Sequence, residues 1–163
     1  FSLGSVSKDV EVLKKCQREE LRLAEEYRKI AERTSHEIAK AFYTQQSNDC
    51  KKHCSILGKV LTLLGEAPRE TVAEELLPAR AAVAEMGIRE LYSTLKDHLK
   101  IERDAEETYM RVAERASDQE VKNLLLGLVS DEKLHHKQMM MLIKNLEEEY
   151  GPILRDVSSV TNG

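Results

Sequence analysis

The chain has 163 residues and a formal net charge of -4; 33% of the residues are charged and 4% aromatic, with no Trp. One domain is the expectation at this length, and the composition suits long helices better than a sheet protein, which needs more β-branched, aromatic and turn residues. The acidic balance without a basic stripe argues against nucleic-acid binding, and no apolar run approaches the roughly 20 residues of a membrane span.

Residues 7–33 read as a first amphipathic helix, with Ser5 or Ser7 available as a cap. A second helix is expected from Ser35, with Glu37 in its first turn, and stops at Gly65. Residues 66–87, punctuated by Pro68, Pro78 and Gly87, read as a long connection holding a short helix. The third helix is expected over 88–116, and Ser117 and Asp118 form a tight link into a fourth that runs to Tyr150. Gly151 and Pro152 should end it, leaving 151–163 as a loose tail beyond a single domain of residues 1–150. Two short links make two antiparallel hairpins, and the long connection brings the second hairpin in from the far end of the first: an all-α bundle of four helices with one crossover.

Cys16, Cys50 and Cys54 are odd in number, which favours free thiols in a reducing compartment, with a cytoplasmic location expected. A disulfide between Cys50 and Cys54, on one helix face, would distort the helix. The chain opens at Phe1 without a recognisable secretory signal.

The two halves repeat at one constant offset. Leu13 falls on Leu95, Glu20 on Glu102, Tyr27 on Tyr109, and the run Ala31-Glu32-Arg33 on Ala113-Glu114-Arg115. The same register carries Asp49 onto Asp131, Lys51 onto Lys133 and His53 onto His135. An ungapped register held across two helices indicates an internal duplication.

The heptad seams of the helices are apolar at both ends and ionisable in the middle. The first runs Leu13, Cys16, Glu20, Leu23, Tyr27, Ile30, and the third Leu95, His98, Glu102, Ala105, Tyr109, Val112. The second passes from Tyr43 through Gln46, Cys50 and His53 to Leu57, and the fourth from Leu128 through Glu132 and His135 to Met139. Glu is almost never buried unpaired, and an unpaired carboxylate taken out of water costs several kcal/mol or takes up a proton. Glu20, Glu102 and Glu132 would also repel one another. A shared cation removes both difficulties, and carboxylates with neutral imidazoles suit iron, manganese or zinc. Glu132 and His135, spaced i, i+3, lie on one face of their helix.

On these residues the chain resembles the ferritin-like carboxylate proteins, the superfamily of rubrerythrins and bacterioferritins. Their four-helix bundle takes one Glu from each of two helices and Glu-x-x-His from each of the others. Glu20 and Glu102 resemble the single glutamates, and Glu132 to His135, "EKLH", one Glu-x-x-His. The spacings Glu20 to Tyr27 and Glu102 to Tyr109 also resemble the family's Glu followed by Tyr two turns later. The resemblance implies an iron or manganese centre, dinuclear or mononuclear, reacting with dioxygen or peroxide and supplied by an unknown electron donor. Glu20 and Glu102 would then be terminal ligands, Glu132 a bridge, and His53 and His135 caps on one metal each, with Tyr27 and Tyr109 supporting the ligands. A homodimer through an outer face is also expected.

The second helix departs from that pattern. "CKKH" puts Cys50 where Glu132 sits in the other half. Cys50 as a thiolate ligand, a single or unequal pair of metals with Asp49 or water filling in, and a drifted site without metal all remain open. A metal-free or structurally metallated interaction module is therefore the alternative function. Iron storage would require a closed shell. No C-x-x-C pair of the rubredoxin kind occurs in this stretch, so no electron-relay domain is expected in it.

Overall fold

A computed structural model of the chain describes residues 3–67 and 84–160, with side chains described over 7–67 and 84–154. Among these residues are four helices: α1 (Leu3–Arg33), α2 (Glu37–Leu63), α3 (Ile88–Arg115) and α4 (Gln119–Val160). The short helix expected in the connection lies outside the described residues.

The links follow local chemistry, with corrections to the expected caps. α1 begins ahead of Ser5 and Ser7, so neither caps it. α2, expected from Ser35, starts at Glu37 and is capped by His36, whose Nδ1 accepts from the backbone N–H of Ala39 at 3.2 Å. Gly65 closes α2 at φ 95°, a left-handed conformation that costs glycine little. Asp118 caps α4 by accepting from the Val121 N–H at 3.0 Å.

The expected stop at Gly151 and Pro152 is a kink instead. Tyr150 leaves helical geometry (φ -124°, ψ 16°) and the helix resumes to Val160. The break places Pro152 in the first turn of the resumed segment, where a missing N–H costs nothing. Leu154 is buried in the core, which gives the continuation something to pack against.

α1 packs on α2, α3 on α4, and α2 on α4. Met86 is buried, and its N–H bonds to the Arg33 carbonyl at 2.8 Å, pinning the end of the connection to the α1–α2 corner. Gly65 and Met86 therefore lie at opposite ends of α2, as a lengthwise crossover requires. The expected seams are the core: Leu13, Leu57, Leu95, Leu125, Leu128, Met139 and Leu146 are all fully buried. Met140 and Met141 face solvent. One apolar cluster gathers around Tyr43, Leu95 and Leu146, a second around Leu13, Leu57 and Leu125. Both halves meet in the polar layer described next. No helix among the described residues is long and apolar enough to cross a membrane.

Candidate metal centre

Glu20, His53, Glu102, Glu132 and His135 are all at most 4% exposed. They fall into two groups that share Glu132: Glu20 with His53 and Glu132, and Glu102 with Glu132 and His135, each offering ligand atoms within 4.8 Å of one another. The i, i+3 pair on α4 brings His135 Nδ1 to 3.8 Å from Glu132 Oε2. Across the bundle, His53 Nδ1 lies 3.0 Å from Glu132 Oε1 and 3.4 Å from Glu20 Oε1.

The remaining atoms of these residues are held from behind, in crossed pairs. Tyr27 on α1 donates to Glu102 Oε1 on α3 at 2.8 Å, and Tyr109 on α3 donates to Glu20 Oε1 on α1 at 2.7 Å. His53 Nε2 on α2 meets Asp131 Oδ2 on α4 at 3.1 Å, and His135 Nε2 on α4 meets Asp49 Oδ2 on α2 at 2.8 Å. Each pair runs antiparallel across the bundle, so the internal repeat becomes a pseudo-twofold relation between the hairpins. The two imidazoles stack with centroids 5.6 Å apart. Asp49 thus sits behind the His135 ring, on the side away from Glu132, rather than filling in for the missing carboxylate. This supporting role was not read from the sequence, although the match of Asp49 to Asp131 was its signal. A carboxylate behind each ring fixes its orientation and leaves Nδ1 facing the centre.

What faces the centre has no partner. His53 Nδ1, His135 Nδ1 and both oxygens of Glu132 are buried without a hydrogen bond, despite their close approach. Buried polar atoms are normally satisfied, and here four orphaned atoms, all good metal donors, come from residues gathered at one place. The donor set fits a cation held by carboxylate and imidazole. Gln46, one turn before Cys50 on the α2 seam, also has both amide atoms buried and unpartnered; the sequence placed it on the seam without a role.

The electrostatics follow from crowding. Burial and then the neighbouring Glu132 and Glu20 charges raise the Glu102 carboxyl well above its ordinary value. Burial alone would lower the His53 pKa, but the Glu132 and Glu20 carboxylates outweigh it and push it up to about 11. Without a metal, a proton on His53 therefore supplies part of the missing positive charge. Burial, then the charges of Glu20 and Glu102, push the Cys50 thiol far up. Cys50 is 2% exposed and lies in the layer, but it belongs to neither donor group. Cys16, one turn from Glu20, is pushed up to about 11 by burial and by Glu20. Cys16, Cys50 and Cys54 form no disulfide.

Residues 11–144 match the rubrerythrin family. The chain belongs to that family. No curated protein and no solved structure matches it. Membership accounts for the ferritin-like bundle and agrees with the candidate metal centre at its middle.

Proposed function

We propose that this rubrerythrin-family chain is an oxidoreductase that holds iron between Glu20, His53, Glu102, Glu132 and His135 and reacts it with dioxygen or peroxide. Manganese or zinc could use the same donors. The observation that carries this reading is the set of unpartnered buried donor atoms on His53, His135 and Glu132. Bound iron would supply electrons for O–O bond reduction by moving between ferrous and ferric states.

The chain's own groups would do the rest. Glu132 turns one oxygen toward His53 and the other toward His135 and belongs to both groups, so it would hold metal in either. Tyr109 and Tyr27 hold Glu20 and Glu102 in place through their hydroxyls. Asp131 and Asp49 accept the Nε2–H of each imidazole and direct the Nδ1 lone pair inward. The apolar clusters on either side keep bulk water from the layer, which strengthens each charge interaction within it. The Cys50 thiol, kept protonated by burial while no cation is bound, adds no fourth negative charge.

A second reading has one observation in its favour. Cys50 replaces a carboxylate, and a protonated His53 can offset charge without metal, so the layer has a route to a metal-free structural role. Anaerobic loading with ferrous iron, elemental analysis and peroxide consumption separate the two. Near-stoichiometric iron that consumes peroxide, both lost in Glu132→Ala, supports the oxidoreductase. A folded chain that retains no iron, manganese or zinc overturns it.

A further inference from the structure

The repeat is imperfect at a second place, on the Tyr27 side of the layer. His98 on α3 is 2% exposed. Its Nδ1 lies 3.0 Å from the Tyr43 hydroxyl on α2, and its Nε2 lies 3.2 Å from Glu26 Oε1 on α1. The Glu26 side chain is 39% exposed and is also bonded by Arg22 at 2.7 Å, so this end of the chain of contacts reaches the surface. Glu26 can only accept, which places the ring proton on Nε2 and leaves Nδ1 to accept from Tyr43. Burial lowers the His98 pKa, which keeps the ring neutral and able to take a proton.

The same cluster touches the candidate centre. The Tyr27 ring lies 5.4 Å from that of Tyr43 and 4.7 Å, edge-on, from His98, centroid to centroid. Tyr27 in turn donates to Glu102. A continuous path of contacts therefore runs from Glu102 through Tyr27 to Tyr43, His98 and Glu26. The other half has no such path: at the constant offset Tyr43 falls on Leu125, His98 on Cys16 and Glu26 on Thr108, none of which offers a ring or an imidazole. Helix packing does not require a buried Tyr–His–Glu chain, since the matching positions pack without one.

We propose that Tyr43, with His98 as its proton acceptor and Glu26 at the surface, is a redox-active tyrosine that passes single electrons between a one-electron donor in solvent and the centre, by way of Tyr27. Oxidation of Tyr43 removes one electron, and the phenolic proton moves along the existing hydrogen bond to His98 Nδ1. The imidazolium so formed is stabilised by the Glu26 carboxylate. In turnover the electron would go on to an oxidised centre, with the Tyr27 ring lying between Tyr43 and Glu102. A one-electron reductant at the Glu26 face then reduces Tyr43, and His98 hands the proton back. The phenol's proton never has to enter an apolar space, which makes Tyr43 easier to oxidise than a tyrosine without such a base.

The role of the path in turnover rests on the proposed peroxide chemistry, but its redox activity can be tested without metal. In the full chain carrying Tyr92→Phe and Tyr150→Phe, flash-generated ruthenium(III) tris-bipyridine is the oxidant, and electron paramagnetic resonance detects a tyrosyl radical. The radical is expected in this background and in its Tyr109→Phe variant, and absent in Tyr43→Phe. His98→Leu should slow its formation about 100-fold, the scale of a lost proton acceptor, with helix content by circular dichroism unchanged. No radical, or one that survives Tyr43→Phe or disappears equally in Tyr109→Phe, overturns the proposal. A Tyr43 radical in a chain that retains no metal after loading leaves this inference standing and overturns the proposed function; iron that consumes peroxide with no Tyr43 radical does the reverse.

Discussion

The α3–α4 hairpin carries a complete donor group, Glu102, Glu132 and His135, whereas α1–α2 carries only Glu20 and His53 and borrows Glu132 from α4. One residue makes the difference, since Cys50 stands where the repeat puts a carboxylate. The shared features, Glu20 with Glu102, His53 with His135, and the crossed tyrosines and aspartates, are those in which each half depends on the other. The lesson is that the crossed supports are kept in both halves, whereas the carboxylate at the Cys50 and Glu132 position is kept in one. The α1–α2 half should then be the weaker holder of a cation, and the two groups should fill unequally.

Removing the shared residue should have the largest effect. Glu132→Ala takes a donor from both groups and should weaken iron binding by more than the roughly 10- to 100-fold typical of lost supporting groups, read by elemental analysis after loading. Glu102→Ala and Glu20→Ala should each empty one group and leave the other. Restoring the repeat with Cys50→Glu should turn an unequal metal titration into one with two similar steps. Without metal, the same variant buries another carboxylate and should lose about 3–5 kcal/mol, a fall in melting temperature of roughly 10 °C. Metal should reverse that loss.

Asp49→Asn and Asp131→Asn should each cost about 10- to 100-fold in metal affinity, by calorimetric titration. Unequal losses would show that the crossed pairs are not equivalent.

The pH dependence of the metal-free chain has a definite sign. The His53 pKa is raised in the folded state to about 11 from an ordinary 6.5, so the folded chain binds more protons than the unfolded one between those values. Its contribution to stability is full below pH 6.5 and fades as pH rises toward 11. The raised Glu102 acts in the same direction from an ordinary value of 4.5 upward. Metal-free melting temperature should therefore fall with rising pH over this range. Bound metal should flatten the dependence, and metal uptake should release protons.

The smallest effect should come from Tyr109→Phe, which removes one buried hydrogen bond to Glu20 and should cost about 2 kcal/mol by thermal unfolding. Tyr27→Phe should cost a similar amount at Glu102 if the halves are alike there.

Much of this arrangement was legible in the sequence because heptad periodicity says which face of a helix is inward. That alone placed Glu20, His53, Glu102, Glu132 and His135 in one buried layer, and the Gly65 stop followed from left-handed backbone chemistry. The supporting contacts were not legible, although Asp49 and Asp131 were matched. Their role depends on how far α4 turns toward α2, a packing angle that neither helix encodes by itself. Tyr43, His98 and Glu26 come from three helices and meet only in the assembled bundle. Pro152 misled because a proline that ends one helix equally suits the first turn of another, and the buried Leu154 decided between them.

The crossed tyrosines and aspartates also bear on how such a layer can assemble. Had the ancestral unit been a lone hairpin, it would have found a hydroxyl for its glutamate and a carboxylate for its imidazole only on a second copy, and only at concentrations where copies met. Joining both hairpins in one chain makes that encounter intramolecular. It also frees each half from self-complementarity, so that Cys50 could enter one half, and Tyr43 and His98 could pair between the halves, without a matching change across the axis.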